Sequence, residues 1–132
     1  MGSGPSKAAN WPDAPGDNSL PVRVIVADTQ AIYRVGIRKI FALEDDLRVV
    51  AQAENLGQTL AAVSKYPTDV VLFESGISSS PAEAVSEVLK RAPGIHLVVI
   101  ANQLDEPQTV EYLRRGVRGI VSRAIAPDML VK

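Results

Sequence analysis

A doubly wound α/β domain built on a parallel sheet is what this sequence predicts. Two observations carry the prediction. Short apolar, β-branched runs such as Val22-Arg23-Val24-Ile25-Val26-Ala27 and Val70-Val71-Leu72-Phe73 recur along the chain. Between them lie segments whose apolar residues repeat at helical spacing, for example Tyr33, Ile37, Ile40 and Phe41. Continuous apolar strands alternating with amphipathic helices indicate a parallel sheet covered on both faces.

The elements follow in order. Residues 1–21 are rich in Gly, Pro, Ser and Asn and read as a tail, with Trp11 as its one aromatic. Val22 to Ala27 is the first strand. The first helix carries Tyr33, Ile37, Ile40 and Phe41, with Thr29 as its expected N-cap. Leu47 to Ala53 is a strand and Gln58 to Tyr66 a helix. Asp69 to Phe73 is the third strand. Ala82 to Arg91 is a helix closed by Ala92-Pro93-Gly94, and Ile95 to Ala101 is a strand. Glu106 to Arg115 is a helix ended by Gly116, and Gly119 to Ser122 is a short strand. Pro127 suits the first turn of a final helix that then stops, so the last helix is expected to be truncated. Five such units within 22–132 fit a flavodoxin-like (βα)5 fold, strand order 2-1-3-4-5.

Composition narrows the function. With 132 residues, 46% of them hydrophobic, the chain supports one domain with a real core. It has no cysteine, which excludes disulfide and thiolate chemistry. Its single histidine, His96, stands just before an apolar run and reads as a surface residue at a strand edge rather than a metal ligand. A formal net charge of −1 gives no basic stripe for nucleic acid. Arg114, Arg115, Arg118 and Arg123 are the nearest approach to one, but Glu111, Glu106 and Asp105 lie beside them and the group reads as a solvated helix face. No apolar run reaches the roughly 18 residues of a membrane span, and no secretory leader is visible. A cytoplasmic protein is expected.

In a sheet of this kind, functional groups gather outside the carboxyl ends of the strands. Those positions hold Asp28 and Thr29, Glu54, Glu74 and Ser75, Ala101 and Asn102, and Arg123 and Ala124. The apolar run Val70 to Phe73 ends on Glu74, the residue on which the functional reading turns.

At this point the chain resembles a bacterial response-regulator receiver domain, of the subfamily joined to a LuxR-type, nitrate-response-like helix-turn-helix. The resemblance runs from Val22 to Lys132. It is carried by Val24-Ile25-Val26-Ala27-Asp28, Tyr33-Arg34-Val35-Gly36-Ile37, Pro67-Thr68-Asp69-Val70-Val71-Leu72-Phe73-Glu74, Gly116-Val117-Arg118-Gly119-Ile120-Val121-Ser122-Arg123 and Pro127-Asp128-Met129-Leu130. It implies a two-component phosphorelay role in transcription regulation, yet the chemical positions depart from the pattern. Of the acid pair that holds Mg²⁺, Asp28 is present and Thr29 replaces the direct ligand. The phosphoacceptor aspartate is Glu74. The phosphoryl-gripping Ser or Thr aligns with Ala101, the family's lysine after the fifth strand with Arg123 and its aromatic switch residue with Ile120.

These departures have physical consequences. Glutamate carries its charge about 1.5 Å farther from the backbone than aspartate. A nucleophile displaced by ~1 Å loses on the order of 100-fold in rate. Mg²⁺ is usually held by one or two carboxylates plus phosphate, so losing the acid at position 29 predicts lost or weak Mg²⁺ binding. The expectation is a pseudo-receiver: not an enzyme, with no cofactor or metal, independent of phosphorylation. Glu74 is then either a solvated carboxylate or the partner of Arg123 in a bridge across the old phosphate site, since arginine can grip a carboxylate with two hydrogen bonds. Such a bridge would be partly exposed and worth about 0–1 kcal/mol.

The resemblance also implies a homodimer that spaces DNA-binding domains lying outside this chain, so DNA is reached only through a C-terminal helix-turn-helix. A sensor kinase is left open. The apolar strip beside a truncated fifth helix should be covered by a neighbouring chain, by the tail through Trp11 and Leu20, or by further helix residues. The rival is a ligand-gated module whose pocket is lined by Ser75 to Pro81, including Gly76. A nucleotide- or flavin-binding enzyme is disfavoured, because Asp28-Thr29-Gln30-Ala31 lacks a glycine-rich phosphate cradle.

Overall fold

The computed structural model describes residues 20–103 and 105–123. The strands are β1 (Val22–Ala27), β2 (Leu47–Ala53), β3 (Val70–Glu74), β4 (His96–Ala101) and β5 (Gly119–Ser122). The helices are α1 (Ala31–Phe41), α2 (Leu56–Lys65), α3 (Pro81–Arg91) and α4 (Glu106–Arg114), with a single 3₁₀ turn at Ser75–Ile77. All strand pairs are parallel, in the order β2-β1-β3-β4-β5 that the sequence predicts.

Alternation along each strand divides the core into two layers. Ile25 and Ala27 of β1, Val71 and Phe73 of β3, and Leu97 and Val99 of β4 face one layer, where they meet Ala62, Ala84, Val85, Val88 and Tyr112 from α2, α3 and α4. Val24 and Val26, Leu72 and Ile100 face the other, where they meet Ile37 and Phe41 of α1. β3 is the central strand, and its last four residues are buried. That placement brings Glu74, the final residue of β3, into the dry interior.

Element boundaries differ from the sequence expectation by one or two residues, for local reasons. α2 begins at Leu56 because the Asn55 side chain accepts a hydrogen bond from the Gln58 N–H. α3 begins at Pro81, whose missing N–H costs nothing in a first turn. β3 starts at Val70, and Asp69 instead holds Arg23 through two side-chain hydrogen bonds of 3.0 and 3.1 Å. Thr29 does not cap α1. The N-cap is Gln30, without a side-chain cap bond, and the Thr29 hydroxyl is drawn to Glu74. α4 closes at Gly116, whose φ of 102° lies in the left-handed region that glycine enters most easily. His96 is exposed at the start of β4, as expected. Leu20 is 89% exposed and covers nothing. Trp11, the rest of the tail to position 19 and the helix expected from Pro127 lie outside the described residues.

Candidate functional site

The carboxyl ends of β1, β3, β4 and β5 bring together Asp28 with Thr29, Glu74, Asn102 and Arg123. Each follows or ends a strand of the sheet. Glu74 is 1% exposed, so it is not a solvated carboxylate. Its Oε1 accepts hydrogen bonds from the Thr29 backbone N–H at 3.0 Å and the Thr29 hydroxyl at 2.9 Å. Its Oε2 accepts from the Gly76 N–H at 2.7 Å and from Asn102 Nδ2 at 2.9 Å. Burial pushes the carboxyl pKa up, but these four hydrogen bonds to the charged form together outweigh it and hold the group below the ordinary glutamate value.

Gly76 belongs to this arrangement by necessity. A Cβ there would collide with Glu74 Oε2 and would stand 3.3 Å from Asn102 Nδ2. The 3₁₀ turn thus folds its backbone directly onto the carboxylate, which acts as that turn's cap.

Asp28 is also 1% exposed. Its Oδ2 accepts from Arg123 Nη1 at 2.7 Å, and its Oδ1 from Arg123 Nη2 at 3.2 Å and the Gln30 N–H at 2.9 Å. Arg123 Nη2 lies 3.7 Å from Glu74 Oε2. Arg123 therefore reaches Glu74, as expected, but its two-pronged grip is on Asp28. The bridge is not a partly exposed surface pair: the Arg123 side chain is 13% exposed. Its guanidinium lies 3.7 Å from the centre of the Tyr33 ring, its Nε donates to Asn102 Oδ1 at 3.3 Å, and Arg34 Nη1 donates to the Asp28 carbonyl at 2.6 Å.

Solved structures share this architecture. The signal receiver domain of the response regulator NarL from Mycobacterium tuberculosis superposes with a TM-score of 0.77 at 19% identity, covering 86% of this chain and 94% of that one. RcsB from Salmonella typhimurium gives 0.79 at 20% identity, over 86% of this chain and 56% of that one. The fold is that of a response-regulator receiver domain. Among curated proteins, the chain is 25% identical over 116 residues to the transcriptional regulatory protein DegU of Brevibacillus brevis, covering 87% of this chain and 49% of that one. It is 28% identical over 111 residues to the oxygen regulatory protein NreC of Staphylococcus aureus, covering 81% of this chain and 50% of that one. The chain thus spans about half the length of these curated relatives. No protein-family model matches it.

On the receiver fold, the site residues read from the sequence separate into two groups. Asp28, Thr29, Glu74 and Arg123 meet in one hydrogen-bonded network. Ala101 and Ile120 do not enter it by their side chains: Ala101 is buried in the larger core layer and Ile120 packs against that layer. The Ala101 carbonyl accepts the Arg123 N–H at 2.9 Å. Three participants had no part in this network assigned from the sequence. Asn102 sits one residue past the Ile100–Ala101 end of β4, and Glu74 is in register with Ile100, so a polar residue following that strand was the available signal. Tyr33 reads from its spacing as a core-facing helix residue, and nothing in the sequence marks it as the platform for Arg123. Gly76 shows its role only once the carboxylate is seen against its backbone.

The donor set does not fit the divalent cation that the receiver fold implies. Mg²⁺ needs six oxygens in near-ideal octahedral geometry. Among the described residues, no group of three or more His, Cys, Asp or Glu side chains gathers to hold a metal. Each oxygen of the two buried carboxylates already accepts from an N–H or O–H donor. The Arg123 guanidinium occupies the space between them. None of the described helices is long and apolar enough to cross a membrane.

Proposed function

We propose that this chain is the regulatory receiver domain of a LuxR-type transcription regulator that works without phosphorylation, through contact between copies of the domain. The reading rests on one observation: Arg123 lies between Asp28 and Glu74, paired to the first at 2.7 Å and to the second at 3.7 Å. A fixed cation stands where metal-assisted chemistry would need a mobile one. Phosphoryl transfer depends on a positioned nucleophile and on neutralised phosphate charge. Here the Glu74 oxygens are turned onto Thr29, Gly76 and Asn102. The site offers neither a free nucleophile nor a place for Mg²⁺, and it holds one conformation by permanent charges.

Similarity to DegU and NreC, named as a transcriptional and an oxygen regulatory protein, supports a role in transcription regulation. DNA is reached through a separate C-terminal domain of the full protein, with a homodimer setting the spacing of two such domains. On this reading the domain needs no cofactor and works in the cytoplasm, and a sensor kinase stays open. Intact-mass measurement after incubation with acetyl phosphate and Mg²⁺ tests the first half of this reading. The expected mass is unchanged, and a stoichiometric phosphoryl gain on Glu74 would overturn it. Sedimentation over a range of concentrations tests the second half: a concentration-dependent dimer is expected, and a monomer throughout would remove the dimer from the reading.

A further inference from the structure

Away from the carboxylate network, α3 and α4 enclose a groove of about 430 Å³. Its walls include Pro81, Ala82, Glu83, Pro107, Tyr112 and Arg115. Tyr112 is 3% exposed, and its hydroxyl has no hydrogen-bond partner among the described residues. Buried tyrosine hydroxyls usually find one. The same groove receives the first turn of α3. Ser80 makes no side-chain cap and Pro81 fills the first helical position. The N–H groups of Ala82 and Glu83, at the positive end of the helix, therefore have no acceptor among the described residues. Arg115 commits Nε to Glu111 at 2.7 Å and Nη1 to Ser86 at 3.1 Å and the Ala82 carbonyl at 3.4 Å. Its Nη2 has no partner among the described residues.

We infer that this groove binds a small organic carboxylate with a flat apolar body, of the aromatic-acid class. The recognising chemistry is a set of donors without acceptors among the described residues, namely two backbone N–H groups, a phenol and one guanidinium nitrogen, set beside the apolar surfaces of Pro81, Ala82 and Pro107. The volume suits a small molecule. Glu83 is exposed at the rim, and Glu111 is held by Arg115 and, at 3.9 Å, by Arg114. These two carboxylates disfavour a multiply charged anion and leave room for a monoanion. The hydroxyl-rich loop from Ser75 contributes only Ser80 and Pro81 to this groove. Ser75 and Gly76 are engaged with Asn102 and Glu74, so the ligand site is displaced from the one that loop suggests.

Titration of the ¹⁵N-labelled chain with benzoate, benzamide and inorganic phosphate tests the inference. Benzoate should shift the Ala82 and Glu83 amides saturably, while benzamide and phosphate leave them in place. Tyr112→Phe should weaken benzoate about tenfold without lowering the melting temperature, because the hydroxyl removed has no partner among the described residues. Arg115→Gln should weaken benzoate as well. Absence of a benzoate response at Ala82 and Glu83 would overturn the inference, as would an equal response to benzamide or phosphate, or unchanged affinity in Tyr112→Phe. None of these outcomes depends on whether Glu74 accepts a phosphoryl group.

Discussion

Arg123 grips Asp28 with both terminal nitrogens, at 2.7 and 3.2 Å, across 95 residues of chain. Both side chains are removed from water, and the same guanidinium faces Glu74. The pair is therefore a buried one, for which losing one partner costs far more than the pair itself contributes. Arg123→Gln leaves two buried carboxylates without their cation and should destabilise the domain by about 3 kcal/mol. Urea unfolding of the variant checks this. A loss under about 1 kcal/mol would return the bridge to the class of surface pairs.

The stacking of Arg123 on Tyr33, 3.7 Å from the ring centre, gives a second expectation. Tyr33→Phe keeps the π face and should be close to neutral. Tyr33→Leu removes it and should cost about 1 kcal/mol. A double-mutant cycle with Arg123→Gln isolates the pairwise part, and a coupling indistinguishable from zero would refute the stacking contribution.

Glu74 links stability to pH. Its folded pKa is lowered, so its contribution is complete above the ordinary glutamate value and is lost as pH falls through the folded value. Asp69, lowered by its hydrogen bonds with Arg23, acts in the same direction. That pair is about two-fifths exposed, and solvent screening makes its share small. Melting temperature should accordingly fall as pH drops below the ordinary glutamate value, and Glu74→Gln should flatten that fall. An unchanged acid limb in the variant would show that Glu74 does not carry it.

Gly76→Ala sets a methyl group against Glu74 Oε2. The turn must shift or the carboxylate must leave its donors, at a cost of about 1–3 kcal/mol. In a Glu74→Ala background the obstruction is gone and most of that cost should disappear. Thermal unfolding of the two single variants and the double variant measures the difference. Additive effects would mean that Gly76 is needed for some reason other than the carboxylate.

Much of this molecule was legible in the order of its residues. Apolar runs of strand length and helical repeats between them are local patterns, and parallel βα units leave few topologies open. The sheet order and the strand ends that carry Asp28, Glu74 and Arg123 followed from that pattern, and the resemblance to receiver domains marked those positions as one site. Which carboxylate Arg123 grips did not follow. Asp28 and Glu74 present the same charge at neighbouring strand ends, and the choice depends on a few ångströms of separation between β1, β3 and β5. Nor did the burial of Glu74 follow. A glutamate at a strand end stays dry only if donors replace water, and those donors come from Thr29, Gly76 and Asn102, on three different segments. Thr29 illustrates the same point: by local pattern it is a helix cap, but Glu74, 45 residues away, accepts its hydroxyl. Local sequence sets the propensities of neighbours along the chain. The partner a polar side chain takes is decided by distances across the sheet, which exist only after the strands have packed.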